Sequence, residues 1–247
     1  SMITVSATAV GVPTNIEMPK LTDVMPNSFT WILIVIVLGG LTTWIASKGY
    51  GMVSKAANWM SPIIVLAFLA CGIVALMQLE VKSFGNFIAI WGEGSEPFPG
   101  QIKYTFWHVF LWSWFCNAAM HIGMSDLTVF RYAKSESSGW TTAAGMYIGH
   151  YMAWIAASLL YAVYLKSPEG MVFLADGLAP PVAPGPLAFN AIGWFGIIAV
   201  ILAGWTTANP TIYRSGLAFQ AIFPKLSITK ATVLAGTLAT LAGIFPA

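Results

Sequence analysis

Thr206 and Thr207 follow an apolar run that spans Phe195 to Ala203, and Ala203 precedes them by three and four residues. Residues at those separations share one face of a helix, so two hydroxyls and the Ala203 carbonyl fall on one side. Pro210 adds to the pattern. It has no N–H and clashes with the carbonyl four residues back, so the Thr206 carbonyl loses its intrahelical partner. Hydroxyl and carbonyl oxygens of this kind are hard ligands for a small cation, which membrane carriers hold where a helix is interrupted at mid-bilayer. The same threonines can instead back-bond to their own helix, with Pro210 marking a kink or the end of the span.

Asn209 follows directly. Its amide offers donors and an acceptor together and can pair with the edge of a heterocycle such as uracil, cytosine, hydantoin or a purine; a hydrogen bond between helices serves it equally well. Arg214, just over a turn further on, reads as an anchor at the membrane interface. The stretch "YTFWHVFLWSWFCNAAMHIGMSD" repeats the theme, with Trp107, Leu111, Trp114, Asn117 and His121 recurring at steps of three and four. A flat ring stacks on an indole face, and Asn117 or His121 could read its polar edge. Tryptophans also form interfacial belts, which is the plainer reading of Trp107 and Trp112.

Three histidines, His108, His121 and His150, fall in or near apolar segments, where ionisable residues are functional suspects by default. A pair on facing helices could ligate haem. His108 and His121 are about 140° apart around one helix, so a haem reading needs one of them with His150. Asp126 and Arg131, in "SDLTVFRYAKS", either cap and anchor a helix end or form a gating ion pair. Paired carboxylates, a nucleophile with its base and a phosphate-cradling glycine loop are all missing from the sequence, so the expectation is not an enzyme. Cys71 and Cys116 sit in apolar segments and offer neither a disulfide framework nor metal-ligand spacing.

The elements that position these residues follow from composition. Of 247 residues, 57% are hydrophobic and 8% charged, against roughly a quarter charged in ordinary soluble domains. Continuous apolar runs predict an all-α polytopic membrane protein, with helices at about 31–47, 59–79, 105–124, 141–165, 188–222 and 229–245. Residues 1–28 read as an extracytoplasmic segment ahead of a transmembrane domain over 29–247. The proline-rich stretch Pro168–Phe189 reads as extended and rigid. Lys48, Lys55, Arg131, Lys134, Arg214, Lys225 and Lys230 occupy one set of loops with two acids, whereas Lys20, Lys82, Lys103 and Lys166 share the other set with seven. The first set is therefore expected in the cytoplasm and the N-terminus outside, in a multi-pass protein of the cell membrane (inner or plasma). A net charge of +2 gives no footprint for nucleic acid.

Three stretches resemble the first class of nucleobase–cation symporters, the cytosine, purine, uracil, thiamine and allantoin permease type. "GWTTANPTIYRSGLAFQAIFPKLS" is similar to that family's eighth helix and following turn, "DLTVFRYAKS" to its pattern after the sixth helix, and "SKGYGMVSKAANWMSPIIVLAFLA" to its fifth helix and preceding loop. The resemblance implies six transmembrane helices, the fourth to ninth, of a LeuT-type inverted-repeat transporter fold, incomplete here and needing the remaining helices of a longer chain. It implies import of a nucleobase or related heterocycle with Na⁺ or H⁺ as coupling ion and no other cofactor. Its cation site would use Ala203, Thr206 and Thr207, its substrate contacts Trp114, Ser113, Asn117 and Asn209, and its gate Asp126 and Arg131. Two departures stand out. Ala208 separates Asn209 from the threonines and turns it by about 100°, and four residues lie between Asp126 and Arg131 where the family usually has two. The alternatives are a LeuT-type carrier of another small solute and a haem-bearing membrane anchor.

Overall fold

The computed structural model describes residues 2–20, 23–90, 104–121, 130, 132–178 and 183–246, with the side chains of 116–121 excepted. Among these residues there are ten helices and no strand: α1 (Met2–Thr14), α2 (Phe29–Ser47), α3 (Tyr50–Gln78), α4 (Phe84–Ala89), α5 (Phe106–His121), α6 (Ser137–Leu165), α7 (Pro168–Ala175), α8 (Pro184–Ile192), α9 (Trp194–Ile222) and α10 (Ile228–Gly243). Four of them, α2, α3, α6 and α9, are long and apolar enough to cross a bilayer, with mean hydropathies of 2.1, 2.5, 1.4 and 1.4. They mark the chain as membrane-embedded. Large side chains such as Leu66, Ile73 and Trp154 are exposed along α3 and α6, an apolar surface that suits lipid far better than water.

Serine begins four helices in the same way. Ser28, Ser83, Ser167 and Ser227 each accept a hydrogen bond from the backbone N–H two or three residues into α2, α4, α7 and α10, which satisfies one of the otherwise orphaned donors. Two glycines set the sharp connections. Gly49, between α2 and α3, has φ +88°, and Gly193, between α8 and α9, has φ +61°; both values lie where a Cβ is costly. The single long helix expected over 188–222 is thus two, joined at Gly193.

Within residues 1–28, where no helix is expected from the sequence, Met2–Thr14 is a helix whose Ile3, Thr4, Ser6, Ala7, Thr8 and Ala9 are buried. Its small side chains let it press against α9: a Cβ on Gly204 would overlap Ser6 Oγ, and Ser6 Oγ donates to the Ile201 carbonyl at 3.1 Å. The proline-rich stretch, expected to be extended, is helical over Pro168–Ala175 and again from Pro184, with Ala183 extended between them and residues 179–182 outside the described residues. Pro168 opens α7, and Pro184 with Pro186 lies in the first turn of α8, where a missing N–H costs nothing because that donor has no intrahelical partner.

α9 is the hub, packed by α1, α2, α3, α8 and α10. Its contact with α10, and that of α10 with α2, runs through threonines seated on glycines. Thr240 meets Gly39, Thr43 meets Gly236 and Thr232 meets Gly216, each too closely for a Cβ on the glycine. Small residues of this kind bring helices close where no hydrophobic effect operates between them and lipid. Trp31, fully buried, donates from Nε1 to the Ile244 carbonyl at 2.7 Å and closes the α2–α10 end of the interface.

Candidate functional site

α9 runs unbroken from Trp194 to Ile222 with Pro210 inside it, so the interruption expected at the proline is absent. One missing N–H and one ring clash bend a helix without ending it when neighbouring helices hold both halves. The freed acceptor is the Thr206 carbonyl. One turn earlier, the Ala203 carbonyl is crowded: the Thr206 and Thr207 hydroxyls each donate to it at 3.0 Å. Thr211 repeats the pattern on the Thr207 carbonyl at 2.8 Å, and Ser215 on that of Thr211 at 2.9 Å. Both threonines of the candidate cation site therefore back-bond to their own helix. Their hydroxyl oxygens keep lone pairs that point outward; the Ala203 oxygen is already occupied.

What they point toward is a cavity of about 540 Å³. Its walls come from Met2 and Val5 of α1, Phe68 and Cys71 of α3, His150 of α6, Leu187 and Ala188 of α8, and Ala199, Ala203, Thr206 and Thr207 of α9. The lining is aliphatic except for Phe68, the two hydroxyls, the Cys71 thiol and the His150 imidazole. A few polar groups converging on an apolar hollow between helices are the usual form of a small-molecule site.

Asn209 lies outside that lining. The direction of its side chain follows from helix geometry: Gly216, seven residues on and so only about 20° away around α9, faces Thr232 of α10. Thr207 is about 160° from Asn209 by the same arithmetic. The Ala208 insertion noted in the sequence is what carries the amide off the cavity face. Asn209 is 1% exposed, and among the described residues neither its Nδ2 nor its Oδ1 has a hydrogen-bond partner; Thr43 Oγ1, Thr232 Oγ1 and Trp205 Nε1 are likewise buried without one.

The remaining candidates separate. Trp114 on α5 is 65% exposed, Ser113 beside it is half-buried, and neither lines the cavity. Of Asn117 and His121 only the backbone, in α5, is described, and Asp126 and Arg131 lie outside the described residues. His108 is engaged locally, its Nδ1 accepting from the Thr105 N–H at 3.1 Å. No group of three or more metal-ligating side chains occurs among the described residues.

Sequence reasoning missed α1 as a wall of the cavity. The available signal was the run of small residues in "VSATAVG", which permits close helix approach. It also missed the aromatic latch formed by Tyr50, Tyr132 and Tyr213, in which Tyr132 follows directly on Arg131 of the quoted loop motif. Compared with known proteins, the chain matches no family model, no curated protein and no solved structure.

Proposed function

We propose that this chain is part of a secondary active transporter of the nucleobase–cation symporter kind, importing a heterocycle with Na⁺ or H⁺ by alternating access. The observation that carries the reading is the cavity of about 540 Å³ between bilayer-length helices, with the Thr206 and Thr207 hydroxyls on its wall. An anchor helix gains nothing from a hollow beside two hydroxyls, whereas a carrier needs room for a solute and oxygens for its ion. On this reading Ala203, Thr206 and Thr207 are the α9 half of the cation site, opened when the two hydroxyls rotate off the Ala203 carbonyl. Trp114, Ser113 and Asn117 supply the stacking surface and polar edge on α5. Asn209 joins them only in a conformation that turns α9 toward the solute. Asp126 and Arg131 gate the cytoplasmic mouth, and the N-terminus of the chain lies outside, as the loop charges favour.

Equilibrium binding of tritiated uracil, cytosine, hypoxanthine and allantoin to the purified full-length protein tests this reading. The expected result is saturable binding of one of them, strengthened by sodium or by low pH within the range of about 5- to 150-fold usual for coupled sites. If sodium is the ion, Thr207→Ala removes the strengthening and leaves binding without sodium in place. No saturable binding of any of the four would contradict the proposal.

A further inference from the structure

His150 is the fourteenth residue of the 29-residue helix α6, and Thr206 and Thr207 are the thirteenth and fourteenth of the 29-residue helix α9. All three therefore lie at the middle of bilayer-length helices, and all three line the same cavity. An ionisable side chain at the centre of a spanning helix is costly to keep unless it serves a pathway or a ligand. His150 is not spent on packing: it is exposed, its one ring contact is with Trp154 at 6.2 Å, and it has no hydrogen-bond partner among the described residues.

We propose that His150 is the proton-binding site of this cavity, and that a proton taken up there is the coupling ion. The inference rests on the transporter reading and makes it more specific. Histidine is suited to the task because its charge changes between about pH 5 and 8. The neutral imidazole binds one proton from the outer solution, the imidazolium N–H finds acceptors in the solute or in the Thr206 and Thr207 hydroxyl oxygens, and the same proton leaves to the inner solution, which restores the imidazole. No electron moves and no other bond changes.

The surroundings keep this charge change isolated. Among the described residues, the Cys71 thiol is the one titratable group that α3 brings to the cavity, and α1, α8 and α9 contribute none to its lining. α7, which also packs on α6, carries Glu169 and Asp176 beyond Leu165, about 22 Å or more along the helix from His150. On α6 itself Tyr147 and Trp154 lie one turn away and Tyr151 is the next residue. With no carboxylate lining the cavity among the described residues, the positive charge of a protonated His150 is met by the solute or by water in the cavity. That ties protonation to occupancy.

The test has a readout that does not depend on transport. Diethyl pyrocarbonate acylates an imidazole only when it is neutral and water-accessible, and peptide mass spectrometry of the full-length protein reads each histidine separately. The expected result is modification of His150 that is slowed by acid and by whichever heterocycle binds. In proteoliposomes, His150→Gln should bring proton-gradient-driven uptake down to the level seen without a gradient, at unchanged thermal stability. His150 left unmodified at pH 8 while exposed His108 reacts would overturn the proposal, and so would His150→Gln uptake that still follows the proton gradient. If the wild type takes up nothing, the transport reading fails on its own, and the pH profile of modification still decides whether His150 binds a proton from the cavity.

Discussion

Tyr132 lies flat on Tyr50, with ring centroids 4.2 Å apart and planes 7° from parallel, and its hydroxyl meets that of Tyr213 at 3.3 Å. Three elements converge there: the segment leading into α6, the first turn of α3 and the second half of α9. Because aromatic pairs contribute about 0.5–1.5 kcal/mol beyond their buried area, a double-mutant cycle of Tyr50→Leu and Tyr132→Leu should give a coupling energy in that range. Thermal unfolding of the four proteins in detergent measures it. A coupling of zero would mean that the stack does not hold this segment to α3.

The glycine–threonine contacts predict a size-specific failure. Gly236→Ala would place a methyl group inside the Thr43 side chain, and overpacking of this kind costs about 1–3 kcal/mol. Thr43→Gly in the same molecule should restore part of the loss, since the overlapping atoms all belong to that side chain. If the double variant is no more stable than Gly236→Ala alone, α2 and α10 are not in the contact described.

Trp31 offers a cleaner hydrogen-bond test. Trp31→Phe keeps most of the ring but removes the Nε1–H that donates to the Ile244 carbonyl at 2.7 Å. A net cost of about 1 kcal/mol is expected, because the partly buried acceptor loses its partner. A variant as stable as the wild type would show that the carbonyl finds another donor or water.

Asn209 should behave in the opposite way. With no hydrogen bond to either amide atom among the described residues, Asn209→Leu breaks none and removes the penalty of an unsatisfied buried amide, about 1–3 kcal/mol. Equal or higher thermal stability is the expected outcome. Destabilisation by more than about 1 kcal/mol would show instead that Asn209 holds a partner or a water in the wild-type protein.

Much of the architecture was legible because bilayer-length apolar runs carry their own signal: "FTWILIVIVLGGLTTWIAS" reads as a spanning helix without any tertiary information. α1 was not legible in the same way. Its burial depends on Ser6 and Gly204 meeting across nearly two hundred residues, which no local pattern reveals. Pro168, Pro184 and Pro186 misled for a related reason, since the first turn of a helix and an extended chain tolerate proline equally well. At the site, the three- and four-residue spacing placed Ala203, Thr206 and Thr207 together on one face. The orientation of Asn209 needed the Gly216–Thr232 contact, and the position of His150 beside the threonines needed the packing of α3 and α8 between their helices.

Concentrative uptake is the most direct test of transport. Proteoliposomes containing the full-length protein would be given tritiated uracil, cytosine, hypoxanthine or allantoin, with an inward sodium gradient, an inward proton gradient or neither. The account predicts that one heterocycle accumulates above its outside concentration only when a gradient is present, and that collapsing the gradient with an ionophore releases it. Uptake that merely equilibrates, or no uptake of any heterocycle under any gradient, would contradict an ion-coupled carrier and return Thr206, Thr207 and the cavity beside them to the packing of a membrane protein with another role.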